Sequence, residues 1–189
     1  RLLVGTTPKG AGTFTYQWLQ SSDNNNWTPI ASSNIKDYQP TSLNSTTYYT
    51  RVVDNGEIKD TAISIQILVY PSISGNAIYV TDTICYGVSP GLLNGSSVTG
   101  GNNSYSYNWQ SKTTSTSWQT IGSLEDHNET SSLTNSTFYR RIVISAKVCR
   151  DTSETDTITV LPLIANNEFI TPDTTICNGQ QAGVLVTNN

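Results

Sequence analysis

The sequence predicts an all-β chain of tandem two-sheet sandwich modules with a period of about 90 residues. Three observations predict it: an internal repeat, aromatic residues alternating at the period of a strand, and the lack of any helical pattern. FTYQWLQSSDNNNWTPI at 14–30 matches YSYNWQSKTTSTSWQTI at 105–121. Trp18 and Trp27 therefore fall on Trp109 and Trp118 with the same nine-residue separation. LNSTTYYTRVV at 43–53 matches LTNSTFYRRIV at 133–143, and DTAISIQILVYP at 60–71 matches DTSETDTITVLP at 151–162. DTTICNG at 173–179 echoes VTDTICYG at 80–87, which puts Cys177 92 residues after Cys85.

Each copy reads as strands in the same order. Phe14, Tyr16 and Trp18, like Tyr105, Tyr107 and Trp109, occupy alternate positions and share one face, while Thr, Ser, Asn and Gln take the other. The polar runs 21–26 and 112–117 form turns to a second strand carrying Trp27 or Trp118. Further strands are expected near 47–53 and 61–69, and near 137–144 and 155–161. Ile78 to Cys85 and Leu92 to Val98 bring the total to about seven per period, which closes most simply as an immunoglobulin-like sandwich. The module limits follow: 1–71 lacking its first strand, 72–165 complete, and 166–189 the start of a third. The stretches joining the modules are short and partly apolar with one Pro each, so they predict limited freedom rather than a Gly/Ser tether.

Composition narrows the function. Only 13% of the 189 residues are charged, and there is no Met. A net charge of -4, with ten scattered basic residues, argues against nucleic acid, because phosphate binding needs clustered Lys and Arg. No run approaches 18 apolar residues, so no membrane insertion is expected. RLLVG at the start has no charged region followed by a long apolar one, so the sequence is expected to begin inside a longer protein.

Cys85, Cys149 and Cys177 have no metal-ligand spacing. Cys85 and Cys149 flank one module, and a disulfide between them, closing 65 residues, is worth roughly 4 kcal/mol by chain entropy. The alternative is two buried free thiols. Cys177 is left unpaired in this window, and Ile58 stands where the other copy has Cys149.

L-x3-T-x-Y occurs as Leu43, Thr47, Tyr49 and as Leu133, Thr137, Tyr139, the spacing of a tyrosine corner whose phenol bonds backbone across a loop. Arg51 and Arg141 follow at equivalent positions. Their expected role is a stem packed on the sheet with its head in water. His127 is the sole histidine, and its expected counterpart in the first copy is Asp37 or Lys36. A histidine that the repeats do not share makes a poor active site, so no enzyme, cofactor or metal is expected. Asn166, Asn167 and Glu168 offer only a thin cation site. Trp18 and Trp109 are expected in the core, and at most Trp27 or Trp118 is exposed to stack on a sugar.

Taken together, ICxG, YxYxWQS, L-x3-T-x-YxR and C-x-DTS resemble the Ig-like or PKD-like tandem repeats of giant Bacteroidota surface proteins. These include gliding-motility adhesins and cargo of the type IX secretion system. The resemblance implies an extracellular or cell-surface location and a structural or adhesive role. It also implies O-glycosylation at Asp-Ser/Thr triplets, here at Thr61, Thr83, Thr157 and Thr174. The expected partners are neighbouring modules, other copies in a filament, and surface glycans. The alternative is a carbohydrate-binding accessory region of a secreted hydrolase.

Overall fold

Alternating aromatic and polar residues bury one face only if they extend as strands and meet a second layer, and both copies do this. The computed structural model describes residues 1–166, 168, 173 and 175–184. These divide into unit 1, Arg1–Ile73 with Gly100–Ser104, and unit 2, Ser74–Thr99 with Tyr105 onward. The second unit thus starts at Ser74, and the turn at 100–104 packs with the end of unit 1, where the Gly101 N–H donates to Pro71 O at 2.9 Å.

Unit 1 contains β1 (Thr15–Ser21), β2 (Thr28–Pro29), β3 (Thr47–Asp54), β4 (Lys59–Thr61) and β5 (Ile65–Ile67). They form one antiparallel sheet in the order β2-β1-β3-β4, with β5 also on β3. The facing layer is a bridge between Leu3 and Tyr38. Leu3, Trp18 and Tyr49 are buried between the layers, with Ile30, Tyr38, Leu43 and Ile67 packed on them.

Unit 2 contains β6 (Ile78–Tyr79), β7 (Thr83–Cys85), β8 (Gly91–Gly95), β9 (Tyr105–Lys112), β10 (Gln119–Gly122), β11 (His127–Glu129), β12 (Thr137–Ser145), β13 (Cys149–Thr152) and β14 (Asp156–Leu161). One sheet runs β10-β9-β12-β14-β7 with β13 beside β12, and the other runs β11-β8-β6. Ile78, Leu93, Trp109, Tyr139 and Ile158 form the buried core between them, flanked by Val80, Ile84, Ile121 and Leu133. The chain is all-β, an array of immunoglobulin-like sandwich modules.

Two expected strands are each broken in two. Ile78 to Cys85 changes sheets: β6 pairs antiparallel with β8, whereas β7 pairs parallel with β14. One segment thereby covers an edge of both sheets. The last strand of each copy carries a bulge at the same place. Tyr49 opposes Ile65 and Val52 opposes Thr61, so five residues (61–65) face four (49–52); Tyr139 opposes Asp156 and Ile142 opposes Thr152 in the same way.

The expected Cys85–Cys149 disulfide is not formed; all three cysteines are free thiols, with Cys85 and Cys177 exposed and Cys149 half-buried. Cys85 pairs with Leu161, beyond the Thr137 end of β12, while Cys149 pairs with Ser145 at the other end. The eight residue steps from Thr137 to Ser145 span about 26 Å at the rise of a strand, whereas a bridge needs Cα atoms within about 7 Å. Flanking a module in sequence placed the two cysteines at opposite poles of the sandwich.

Candidate functional site

The inner face of each unit is built around one tryptophan and one arginine on neighbouring strands. Trp18 opposes Arg51 across β1 and β3, and Trp109 opposes Arg141 across β9 and β12. The two arginine heads lie inside, not in water: Arg51 is 6% exposed and Arg141 0%. Arg141 donates from Nη1 to Glu125 O at 3.0 Å, from Nη2 to Ser96 O at 2.6 Å and from Nε to Asn76 Oδ1 at 3.0 Å. Its guanidinium carbon also lies 5.2 Å from the Tyr107 ring centre and 5.9 Å from that of Trp109. Burial holds its pKa below the ordinary arginine value, with Tyr107, Glu125 and Asp126 opposing the shift. Arg51 repeats the fork with Lys36 O and Thr6 O, both at 2.9 Å, over Tyr16 and Trp18.

These forks need a glycine beside them. A Cβ on Gly5 would fall 1.7 Å from Arg51 Nη1, and one on Gly95 would fall 1.7 Å from Arg141 Nη1. The guanidinium therefore ties the strand carrying Gly95 to the loop carrying Glu125. Both Nη atoms of each arginine are engaged by carbonyls of its own unit, which gives the two heads a structural role.

Trp109 is fully buried and Trp18 nearly so. Tyr49 and Tyr139 are buried too, but the tyrosine corner is not made in unit 2: the Tyr139 hydroxyl is buried without a hydrogen-bond partner. Burial pushes its pKa well above the ordinary phenol range, with Glu129 adding to the shift. Burial likewise raises Tyr49, with Tyr38 adding. Both rings serve as core.

His127 is also packing. Its ring centre lies 6.3 Å from that of Trp109, its Nε2 is 3.7 Å from Glu129 Oε2, and its Nδ1 lies over Gly122. Its counterpart is Tyr38, not Asp37 or Lys36. Leu3 pairs with Tyr38 as Leu93 pairs with His127, and Tyr38 stacks on Trp18 at 5.9 Å. Asp37 matches Asp126 instead, each accepting a glycine N–H, from Gly5 or Gly95, at 2.8 Å. Among the described residues no group of three or more His, Cys, Asp or Glu converges. Asn167 of the thin cation site lies outside the described residues.

The candidate glycosylation sites differ in access. Thr61 on β4 and Thr83 on β7 are exposed, Thr157 on β14 is half-buried, and Thr174 lies outside the described residues. The second tryptophan of each copy is on the outer face. Trp118 is covered by cations, with the Arg140 guanidinium carbon 4.1 Å and Lys112 Nζ 5.1 Å from its ring centre. Trp27 borders an open groove of about 400 Å³ on the outer face of unit 1.

No curated protein matches the chain. Among solved structures it is similar to three N-terminal domains of the highly immunogenic outer capsid protein Hoc of bacteriophage RB49. There the identity is 16% and the TM-score 0.47, covering 84% of this chain and 60% of that one. It is also similar to immunoglobulin domains 1–4 of Sidekick-1, at 15% identity and a TM-score of 0.34, covering 86% of this chain and 45% of that one. The chain thus spans less than two thirds of either. Residues 1–71 and 74–162 match the family model described as "Domain of unknown function (DUF8696)", and the chain belongs to that family.

Proposed function

We propose that this chain is a structural or adhesive repeat segment of a larger secreted surface protein. The supporting observation is the parallel pairing of β7 with β14, the strands that open and close one sheet of unit 2. Parallel strands near the entrance and exit of a module slide past one another when its ends are pulled, so their hydrogen bonds are loaded together rather than one at a time. Strength under tension then comes from this ladder and the buried core, with no disulfide staple inside the module. The finer reading is a bacterial cell-surface fibre of the gliding or type IX secretion kind, with O-glycans on the exposed Thr61 and Thr83. It rests on the sequence resemblance and on the access of those two threonines.

Single-molecule stretching of the full chain tests the mechanical reading. Unit 2 is expected to unfold as a discrete event. Tyr86→Pro removes the Tyr86 N–H bond to Leu161 O, 3.1 Å in length, and is expected to lower the unfolding force while leaving the equilibrium fold in place. Equal unfolding forces for the variant and the wild type would count against a load-bearing β7–β14 pair.

A further inference from the structure

We propose that the outer face of unit 1 holds a binding site for a neutral pyranose sugar, centred on Trp27. In both copies this face carries the second tryptophan, yet the surroundings of the two rings have opposite character. In unit 2, Arg140 and Lys112 lie over Trp118, and Arg140 is fixed by its Nε donating to Gln110 Oε1 at 2.9 Å. In unit 1 the position of Arg140 is Thr50 and that of Gln110 is Leu19, by the alignment of Tyr49 with Tyr139 and of Trp18 with Trp109. Among the described residues no cation stacks on Trp27, and an open groove of about 400 Å³ takes the place of the capping pair. That volume lies within the ordinary range for small-ligand sites.

The groove wall is set by strand register. Leu19 opposes Thr50 and Val52 opposes Thr61, so these four side chains share the face away from Trp18 and Arg51. Asn24 closes one end in a left-handed conformation, with φ of 63°. Its Oδ1 accepts from Ser64 Oγ at 2.7 Å, which leaves its amide hydrogens to donate outward. Thr50 Oγ1 donates to Ala62 O at 2.6 Å and keeps its lone pairs for accepting. The lining therefore combines an indole face, aliphatic side chains, and neutral donors and acceptors.

No residue lining the groove is charged. A pyranose offers an apolar C–H face to stack on the indole and a rim of hydroxyls for hydroxyl and amide partners. A carboxylate or ammonium group would enter without a counter-charge, so the groove selects against uronic acids, sialic acids and charged peptides. Thr61 lines the groove, so the binding form is the one unmodified at that position.

The test uses the whole chain produced without glycosylation, screened on an array of neutral and acidic glycans and then titrated with the best neutral oligosaccharide. Binding is followed by tryptophan fluorescence and by amide shifts. Neutral glycans are expected to bind and acidic ones to fail. Trp27→Ala is expected to weaken binding about tenfold or more, while Trp118→Ala leaves it unchanged. Thr50→Arg, which recreates the capped arrangement of unit 2, is expected to block binding in a protein of unchanged circular dichroism. No binding by any neutral glycan, equal loss in Trp118→Ala, or full binding by a folded Thr50→Arg would overturn the proposal. Failure of this test would not touch the mechanical reading, which concerns β7 and β14 in the other unit.

Discussion

Arg51 and Arg141 occupy the same place in their units, and the difference between their surroundings shows what the repeat motif supplies and what it does not. Both lie over an aromatic pair on the neighbouring strand, and both send Nη1 and Nη2 to carbonyls on the facing layer. Only Arg141 has a side-chain partner at Nε: Asn76, which also donates to Asp151 Oδ2 at 2.9 Å. Asn76 leads into β6, the strand that lays Ile78 on the core. Unit 2 buries five core residues under two sheets, whereas unit 1 buries three under one sheet and a bridge. A cavity of about 220 Å³ opens beside Leu3, Trp18 and Tyr49. The shared motif builds the inner frame of each unit, and in unit 2 the β6–β7 segment adds Ile78 to the core with Val80 and Ile84 packed against it.

The largest expected effect separates the two cores. Trp109→Ala should cost about 3–5 kcal/mol, because its ring is fully enclosed and the hole cannot collapse onto solvent. Trp18→Ala should cost less, since a cavity already adjoins that ring. Residue-resolved native-state amide exchange on the full chain reads each unit separately, and equal losses would show that the two cores are equally closed.

The next effect concerns the arginine frame. Arg141→Ala should cost about 2–5 kcal/mol, because it leaves Asn76 Oδ1 and Ser96 O without that donor and Glu125 O with the Trp109 indole N–H at 3.2 Å in its place. Arg51→Ala, with one partner fewer, should cost less. Gly95→Ala should be nearly as damaging as Arg141→Ala, since its Cβ would displace the fork. The double variant should fall short of the sum of the two singles. Some cost of Gly95→Ala remains even then, because its Cβ would also sit 2.6 Å from Glu125 O. Strict additivity would mean that the glycine and the arginine act independently.

The same comparison shows what was legible in the sequence. The repeat and the aromatic alternation were enough to give the all-β sandwich and the burial of Trp18, Trp109, Tyr49 and Tyr139. The cysteine pairing failed because sequence separation says that Cys85 and Cys149 flank a module but not at which pole each lies. The buried arginine heads were missed, although a signal existed: Gly5 precedes Arg51 by 46 residues and Gly95 precedes Arg141 by 46. Equal spacing of a glycine and an arginine in both copies marks a close approach that no other residue permits. His127 and Tyr38 were misaligned because a ring stacked on tryptophan is required there, not a charge, and only the bridge register reveals it.

The smallest expected effect lies in the turn after the first long strand of each unit. In unit 1 the Asp23 carboxylate accepts from the Asn25 and Asn26 N–H groups at 2.9 and 2.8 Å, from Asn26 Nδ2 at 2.6 Å and from Ser21 Oγ at 2.8 Å. In unit 2 the equivalent turn is held by hydroxyls alone, with the Thr113 N–H donating to Thr116 Oγ1 at 2.8 Å. The Asn26 and Asn25 backbone N–H groups are the largest causes that hold the Asp23 pKa well below the ordinary carboxylate range, followed by the Asn26 and Ser21 side chains. Because the folded value is the depressed one, this contribution is complete above the unfolded pKa of about 3.9 and fades as pH falls through the folded value. Acidification well below about pH 4, toward the depressed folded value, should therefore loosen the Asn25 and Asn26 amides while leaving the Thr113 turn unaffected. Asp23→Ser, which copies the hydroxyl chemistry of unit 2, should abolish that pH dependence at a small cost in stability. Amide shifts and exchange followed from pH 5 downward check it, and parallel loosening of both turns would locate the acid sensitivity elsewhere than Asp23.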